Sequence, residues 1–157
     1  MKKKIVILGS TGSIGKNLIN ILKKDKKNIK IKLLTADKNY QELFKQALYF
    51  NVKNILITNN DKYKIAKKKF KNKKINIYNK FSSIDKIFNK KDIDYSMSAV
   101  SGLNGLEPTL KIIKFTKNIA IANKEAIICG WPLISKNLKR YKTKFIPVDS
   151  EHFSIWS

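Results

Sequence analysis

Residues 5–15 read Ile5-Val6-Ile7-Leu8-Gly9-Ser10-Thr11-Gly12-Ser13-Ile14-Gly15. A short apolar run, which is typical of a buried strand, stops here at a glycine-rich turn. A helical pattern follows at once, because apolar side chains recur on one face of the next segment at Ile14, Leu18, Ile21 and Leu22. This order of strand, tight loop and helix is the opening unit of a nucleotide-binding α/β domain.

The glycines of this loop are spaced Gly9-x-x-Gly12-x-x-Gly15, a variant of the common G-x-G-x-x-G pattern. Glycine lets the backbone turn sharply and approach a pyrophosphate, and a helix N-terminus offers unpaired N–H groups to negative charge. The alternative is an ordinary loop between a strand and a helix that binds nothing. The strand before the loop and the helix after it favour nucleotide binding.

The length and composition limit the class of protein. The chain has 157 residues, 43% of them hydrophobic, which suits one domain, or one domain and the start of another. Its single cysteine, Cys129, excludes an internal disulfide framework. No apolar run approaches the roughly 18 residues of a membrane span, and the run behind the basic residues 2–4 is too short for a signal peptide. These features predict a soluble, cytoplasmic protein with no membrane partner.

The formal net charge of +23 is a common sign of nucleic-acid binding. However, Arg140 is the only arginine, whereas base readers and phosphate clamps favour arginine forks. The lysines are spread along the chain, which indicates solvated faces, and residues 67–74 form the densest run. We therefore do not expect nucleic acid as a partner, and a basic polyanion-binding module stays as an alternative.

Hydrophobic periodicity predicts alternating strands and helices along the chain. Such alternation gives a doubly wound, mostly parallel α/β sheet of Rossmann-like type with helices on both faces. A break or kink is expected at residues 130–134, because glycine and proline interrupt the helical pattern there. The predicted strands are 4–8, 29–34, 54–58, 75–78, 93–100, 118–122 and 144–148.

Polar residues follow three of these strands, where ligands of open α/β sheets gather. After the second strand, Asp37 would suit the ribose hydroxyls of NAD, whereas Lys38 would suit the 2′-phosphate of NADP. Asp37 could instead cap the next helix. After the sixth strand, Asn123 and Glu125 could line a ligand site, or Asn123 could be a helix N-cap with Glu125 in the first turn. The sequence leaves these alternatives open.

The last predicted strand runs into Asp149 and Glu151, two carboxylates that could face one divalent cation. Oxygen ligands suit magnesium or manganese rather than structural zinc. His152 could be a third ligand, but a single histidine beside such a pair is more often a supporting or core residue. The chain stops at Ser157 within an apparent helix start, so we expect it to be part of a longer protein.

Four motifs in this order resemble the 1-deoxy-D-xylulose 5-phosphate reductoisomerase family. The resemblance spans the whole chain and covers the amino-terminal part of that family. The motifs are Gly9-Ser10-Thr11-Gly12-Ser13-Ile14-Gly15, Gly102-x-x-Gly105-Leu106-x-Pro108-Thr109, Ala122-Asn123-Lys124-Glu125 and Pro147-Val148-Asp149-Ser150-Glu151-His152.

The resemblance implies NADPH as the cofactor. Residues at the pyrophosphate would be Thr11, Gly12, Ser13 and Ile14. Lys38 and Asn39 would bind the adenosine end, and Asn123 and Glu125 would line the nicotinamide side. The family often has glycine where Asp37 stands, and an acid beside the 2′-phosphate would weaken the preference for NADPH. Another NAD(P)-dependent dehydrogenase of the same fold is therefore an alternative.

The resemblance also implies a catalytic half-site at the end of the chain. Lys124 and Ser150 would contact a sugar phosphate substrate, and Asp149 and Glu151 would hold a magnesium, manganese or cobalt ion. The metal would act as a Lewis acid on the ketose, whose carbon skeleton rearranges before hydride reduction to 2-C-methyl-D-erythritol 4-phosphate. Residues 1–148 would be the NADPH-binding domain and 149–157 the start of the catalytic domain.

The rest of the family's catalytic apparatus, its third metal carboxylate and its lid, would lie beyond Ser157. The chain alone is therefore expected to be inactive, and the full-length protein to be a homodimer.

Overall fold

The computed structural model describes residues 1–148, within which seven strands form one parallel sheet. Apolar runs form inner strands of this sheet, at residues 5–8 and 55–57, whereas the edge strands at residues 76–78 and 144–147 are short and partly exposed. The strands are Lys3–Leu8 (β1), Ile29–Ala36 (β2), Asn54–Ile57 (β3), Asn76–Tyr78 (β4), Ile93–Ser98 (β5), Thr116–Ile121 (β6) and Lys144–Pro147 (β7).

Helices connect the strands and cover both faces of the sheet. Three of them begin at an asparagine whose side chain accepts a hydrogen bond from a backbone N–H of the first turn, which satisfies one otherwise unpaired donor. The α-helices are Ser13–Lys23 (α1), Tyr40–Phe50 (α2), Asn60–Lys69 (α3), Ile84–Ile87 (α4), Leu106–Ile113 (α5) and Lys124–Tyr141 (α6).

The strand order is β4-β3-β2-β1-β5-β6-β7. The chain first winds outward from β1 to β4 and then returns to place β5 on the other side of β1. The direction of winding therefore reverses between β1 and β5. In open parallel sheets this reversal leaves a crevice at the carboxyl ends of the two strands, where ligands bind. The predicted doubly wound, Rossmann-like fold is confirmed.

The alternation along β1 divides the core between the two faces of the sheet. Ile5 and Ile7 pack with α1, α2 and α3 on one face, and Val6 and Leu8 pack with α4, α5 and α6 on the other. Each such side chain contributes about 1.5–3 kcal/mol by leaving water. The pairing of β1 with β2 shifts register between Ile5 and Val6, whereas its pairing with β5 is regular from Ile5 to Leu8. The loop that follows Leu8 therefore starts from a strand that is paired on both edges and buried on both faces.

The break predicted at residues 130–134 is wrong, because α6 continues from Lys124 to Tyr141 through Pro132. Proline removes one helical N–H, but packing outweighs this loss, since Ile134 and Leu138 are buried on the same face of the helix. Gly130 also has a packing role: a Cβ there would collide with the side chain of Leu106 on α5. Within residues 1–148, no helix combines the length and the apolar character needed to cross a membrane.

Candidate functional site

The loop between β1 and α1 borders the crevice. Its glycines differ in what surrounds them. Gly9 has φ +81°, and a Cβ there would lie 2.7 Å from the backbone oxygen of Ala99, just after β5. A Cβ on Gly15 would collide with the Gly9 oxygen and the Ser10 backbone. A Cβ on Gly12 would meet only the Gly9 oxygen, at 3.7 Å. The fold therefore requires Gly9 and Gly15, whereas Gly12 faces open space.

The inner side of the loop is held by Thr35, near the end of β2. The Gly9 N–H donates to the Thr35 hydroxyl, and the Ser10 N–H donates to the Thr35 carbonyl oxygen, both at 2.9 Å. Thr35 and Ser10 are buried, at 1% and 0% exposure. These bonds anchor the start of the loop to the neighbouring strand. The sequence analysis missed Thr35, because a threonine in an apolar strand gives no signal of such a bond.

The N-terminus of α1 carries no side-chain cap, since its N-cap residue is Gly12. The first N–H groups of a helix have no partner within the helix, and the helix dipole adds a partial positive charge there. The first turn of α1 also contains no acidic residue that would compete with an anion. The predicted pyrophosphate ligands Thr11, Gly12, Ser13 and Ile14 thus surround a helix end suited to a phosphate group.

A cleft of about 760 Å³ opens beside this loop. It is lined by the segments that follow five neighbouring strands of the sheet, which are β4, β3, β2, β1 and β5. Its lining near β1 consists of Gly9, Thr11 and Gly12, and near β4 of residues 79–82. The lining residues include Gly9, Thr11, Gly12, Asp37, Thr58, Asn79, Lys80, Ala99, Ser101 and Glu107. The cleft is large enough for part of a dinucleotide.

Asp37 lies in this cleft, but Lys38 and Asn39 are not among its lining residues. The Asp37 carboxylate accepts a 2.7 Å hydrogen bond from the hydroxyl of Thr58, at the end of β3. The alternative in which Asp37 caps the next helix is wrong, because Asn39 is the N-cap of α2 and accepts from the Glu42 N–H at 3.2 Å. The bond to Thr58 therefore orients the Asp37 carboxylate within the cleft.

A second, smaller cavity of about 160 Å³ contains Ile14, Asn123 and Glu125. It shares residues 99–101, just after β5, with the lining of the larger cleft. The structure therefore brings the predicted nicotinamide-side residues next to the helix that follows the glycine loop. Both cavities border the segment after β5, where the direction of winding reverses.

The Asn123 side chain is 5% exposed and makes three hydrogen bonds. Its amide group donates to the carbonyl oxygens of Val100 and Gly102, both at 2.5 Å, and its oxygen accepts from the Ala126 N–H at 3.1 Å. The N-cap alternative is thereby confirmed. Because the side chain is fully engaged, Asn123 shapes the loop after β5 as well as lining the cavity.

The remaining predicted site residues are exposed or lie outside the described part. The side chains of Ser13 and Lys124 are exposed to solvent. Asp149, Ser150, Glu151 and His152 lie outside the described residues 1–148. Within the described range, no three histidine, cysteine, aspartate or glutamate side chains come together as a metal site.

Three aspartates have lowered pKa values: Asp85 on α4, through hydrogen bonds from Lys114 and Lys111, and Asp92 and Asp94 at the opposite end of the sheet from the cleft. The Lys4 backbone N–H donates to the Asp94 carboxylate at 2.8 Å, and this bond lowers the pKa of Asp94. The ammonium group of Lys4 hydrogen-bonds the Asp92 carboxylate and lowers its pKa in turn. These pairs tie the starts of β1 and β5 together, so they are structural and distant from the cleft.

The open parallel sheet, the glycine loop and the cleft at the switch of winding define a Rossmann-like dinucleotide-binding domain. A family model described as 1-deoxy-D-xylulose 5-phosphate reductoisomerase matches residues 5–130. The chain belongs to the 1-deoxy-D-xylulose 5-phosphate reductoisomerase family, as its motifs predicted.

A curated relative of that name from Pelagibacter ubique is 62% identical over 156 residues, which cover 99% of this chain and 40% of the relative. A solved structure of the reductoisomerase from Zymomonas mobilis in complex with NADPH has a TM-score of 0.86 at 27% identity, covering 97% of this chain and 40% of that one. Another, in complex with NADPH, fosmidomycin and magnesium, has a TM-score of 0.85 at 28% identity, covering 96% and 37%. The chain thus spans about 40% of the length of these relatives.

Proposed function

We propose that this chain is the NADPH-binding part of an enzyme that converts 1-deoxy-D-xylulose 5-phosphate to 2-C-methyl-D-erythritol 4-phosphate, a step of isoprenoid precursor synthesis. The observation that carries the proposal is the open Gly12, at an uncapped helix N-terminus beside a cleft of about 760 Å³. An unpaired donor set and a missing Cβ at the same place suit the close approach of a pyrophosphate. Family membership supports the same cofactor.

The chain's own residues would bind and orient the dinucleotide. The N–H groups of Thr11, Ser13 and Ile14 would bind the pyrophosphate beside Gly12, whose own N–H donates to the Gly9 carbonyl oxygen. Lys38 with Asn39 would bind the adenosine end. Glu125 and Asn123 would border the nicotinamide ring in the small cavity. Bound NADPH would supply the hydride for the reduction, and the protein's part is to direct the nicotinamide towards the substrate.

The remaining parts of the proposal concern residues at or beyond the end of the described part. Asp149 and Glu151 would supply carboxylate oxygen ligands, a ligand type that suits a magnesium, manganese or cobalt ion, which would polarise the substrate carbonyl. Lys124 and Ser150 would bind the sugar phosphate. We place the domain boundary between residues 148 and 149, and we expect the complete enzyme to be a cytoplasmic homodimer.

Calorimetric titration of the folded chain with NADPH, and separately with NADH, tests this proposal. We expect tighter binding of NADPH. Gly12→Asp should weaken it at least about tenfold, because a carboxylate would then face the pyrophosphate. Gly12 has room for a side chain, so this variant should remain folded. Asn17→Asp is the matched control, since it adds the same charge at an exposed position of α1 and should change NADPH binding little.

Each outcome has a distinct meaning. Tighter binding of NADH would keep the dinucleotide site but favour another NAD(P)-dependent dehydrogenase. Binding of neither cofactor by a chain shown to be folded would contradict the proposed site. Equal losses in Gly12→Asp and Asn17→Asp would indicate a general charge effect rather than contact with the loop.

A further inference from the structure

Gln46 is a buried polar residue on the apolar face of α2. Its exposure is 4%, although every other buried residue of this helix is apolar or aromatic. Burying an amide is unfavourable unless its groups find hydrogen-bond partners. The apolar residues on the same face account for the packing of α2 against the core. They offer no hydrogen-bond partner for an amide side chain. The polar contacts of Gln46 are therefore informative.

The Gln46 amide bonds the glycine loop from behind. Its Nε2 donates to the carbonyl oxygen of Ser10 at 3.1 Å, and it lies 3.5 Å from a carboxylate oxygen of Glu42. Its Oε1 is buried and has no hydrogen-bond partner within the described residues. An apolar side chain of the same size would avoid the desolvation cost of this unpaired acceptor. Stability of the core alone therefore does not account for a glutamine at this position.

The bond from Gln46 fixes the orientation of one peptide group in the loop. The Ser10 carbonyl and the Thr11 N–H belong to the same trans peptide, so they point in opposite directions. Because the Ser10 oxygen points to Gln46, the Thr11 N–H points away from it. Thr11 lines the large cleft, and its N–H donates to no other residue of the described part.

We propose that Gln46 is a positioning residue that holds the Ser10–Thr11 peptide with its N–H directed at the cofactor's pyrophosphate. Thr35 fixes the Gly9 and Ser10 N–H groups from the neighbouring strand, and Gln46 fixes the next peptide from the helix. Together they leave the Thr11 N–H oriented for an anion before any ligand arrives. This inference rests on the proposed dinucleotide site and adds a residue that touches no part of the ligand.

The first test is Gln46→Met, which keeps a similar volume and helix propensity but removes the donor and the unpaired acceptor. We expect unchanged or greater stability in urea, together with about tenfold weaker NADPH binding, the loss expected from one charge-assisted hydrogen bond. Gln41→Met, at an exposed position of the same helix, is the matched control and should alter neither quantity. A role in stability alone would instead lower stability and leave the NADPH dissociation constant unchanged.

The second test is Gln46→Glu, because a protonated carboxyl can donate to the Ser10 oxygen and an ionised one cannot. Burial raises the pKa of such a carboxyl, so it should become protonated on mild acidification. Relative to wild type at each pH, the variant should bind the acid-stable NADP⁺ weakly at pH 8 and regain affinity towards pH 5. A ratio to wild type that is independent of pH would overturn the proposal.

Backbone ¹⁵N relaxation in the ligand-free chain separates this inference from the proposed function. In Gln46→Met the Thr11 and Gly12 N–H groups should have lower order parameters than in wild type, because the bond that holds their loop is lost, while those of β1 stay unchanged. If wild type binds no dinucleotide but this difference is present, the proposed function fails, whereas the orientation of the loop by Gln46 is supported. If wild type binds NADPH and the variant matches it in both affinity and order parameters, the positioning role fails alone.

Discussion

Gly9 and Gly12 lie in the same loop, but glycine is needed at the two positions for different reasons. Gly9 is required by the fold, because its φ of +81° and its contact with Ala99 leave no room for a side chain. Gly12 has an ordinary φ of −76° and open space around it, so nothing in the folded chain alone demands glycine there. Under the proposed function, the pyrophosphate would approach the backbone at this position, where a side chain would stand in its way. A single residue can thus separate folding from binding.

Asp37 is the residue whose charge fits the proposed cofactor least well. Its carboxylate lies in the cleft and is oriented by the Thr58 hydroxyl. At about 4 Å in water, two like charges repel by about 1 kcal/mol. We predict that Asp37→Asn binds NADPH about fivefold more tightly than wild type, because the amide oxygen keeps the bond to Thr58 while the charge is lost.

Calorimetry with NADPH and NADH at low and moderate salt measures this effect. The gain should be confined to NADPH and should shrink as salt screens the charge. Thr58→Val is a useful companion, since it frees the carboxylate without removing its charge. A rise in NADH affinity of the same size would show that Asp37 acts on a part common to both cofactors, and would contradict a role opposite the 2′-phosphate.

The residue that precedes α6 joins this helix to the loop after β5. Asn123 caps the helix and also donates to two carbonyl groups of the loop after β5. Asn39 and Asn59 cap α2 and α3 by accepting one hydrogen bond each. Asparagine therefore acts as a cap at α2 and α3, whereas at α6 it caps the helix and also holds the loop after β5.

We predict that Asn123→Ala destabilises the chain by about 2–4 kcal/mol, because a cap and two buried donors are lost together. Asn39→Ala and Asn59→Ala should cost only about 1 kcal/mol each, the usual effect of removing a cap. Urea unfolding of the three variants compares them directly. Equal losses would mean that the bonds to the loop contribute nothing beyond the cap.

The elements were largely predictable from the sequence, since strands and helices depend on local periodicity. Pro132 is the exception, because the local rule predicts a break and the packing of α6 on α5 overrides it. In the site, the glycine loop was predictable from its glycine spacing together with the strand pattern before it and the helix pattern after it. Thr35 and Gln46 were not, since their partners lie 25 to 36 residues away along the chain. Asn123 stayed ambiguous because capping and ligand binding favour the same residue type.

At the scale of the whole molecule, the net charge of +23 is the dominant unexplained property. Within residues 1–148, the ion pairs involve only Asp85, Asp92 and Asp94 with lysines at partly exposed positions. Exposed pairs of this kind contribute about 0–1 kcal/mol each. Most lysines therefore have no opposite charge nearby, and their mutual repulsion should oppose folding.

We predict that NaCl stabilises the chain. Between 10 and 300 mM, a range low enough to limit ion-specific effects, the Debye length falls from about 30 Å to below 8 Å. The thermal midpoint should rise by several degrees, because screening removes more repulsion than attraction. A variant with four lysines replaced tests the cause: Lys67→Gln, Lys68→Gln, Lys69→Gln and Lys71→Gln. Glutamine is chosen because its helix propensity is similar to that of lysine. This variant should have a higher thermal midpoint than wild type at 10 mM NaCl, and its midpoint should change less with salt. If the thermal midpoint of wild type falls with salt, the lysine–aspartate attraction outweighs the repulsion between lysines. The distribution of lysines would then stabilise the folded chain instead of opposing folding.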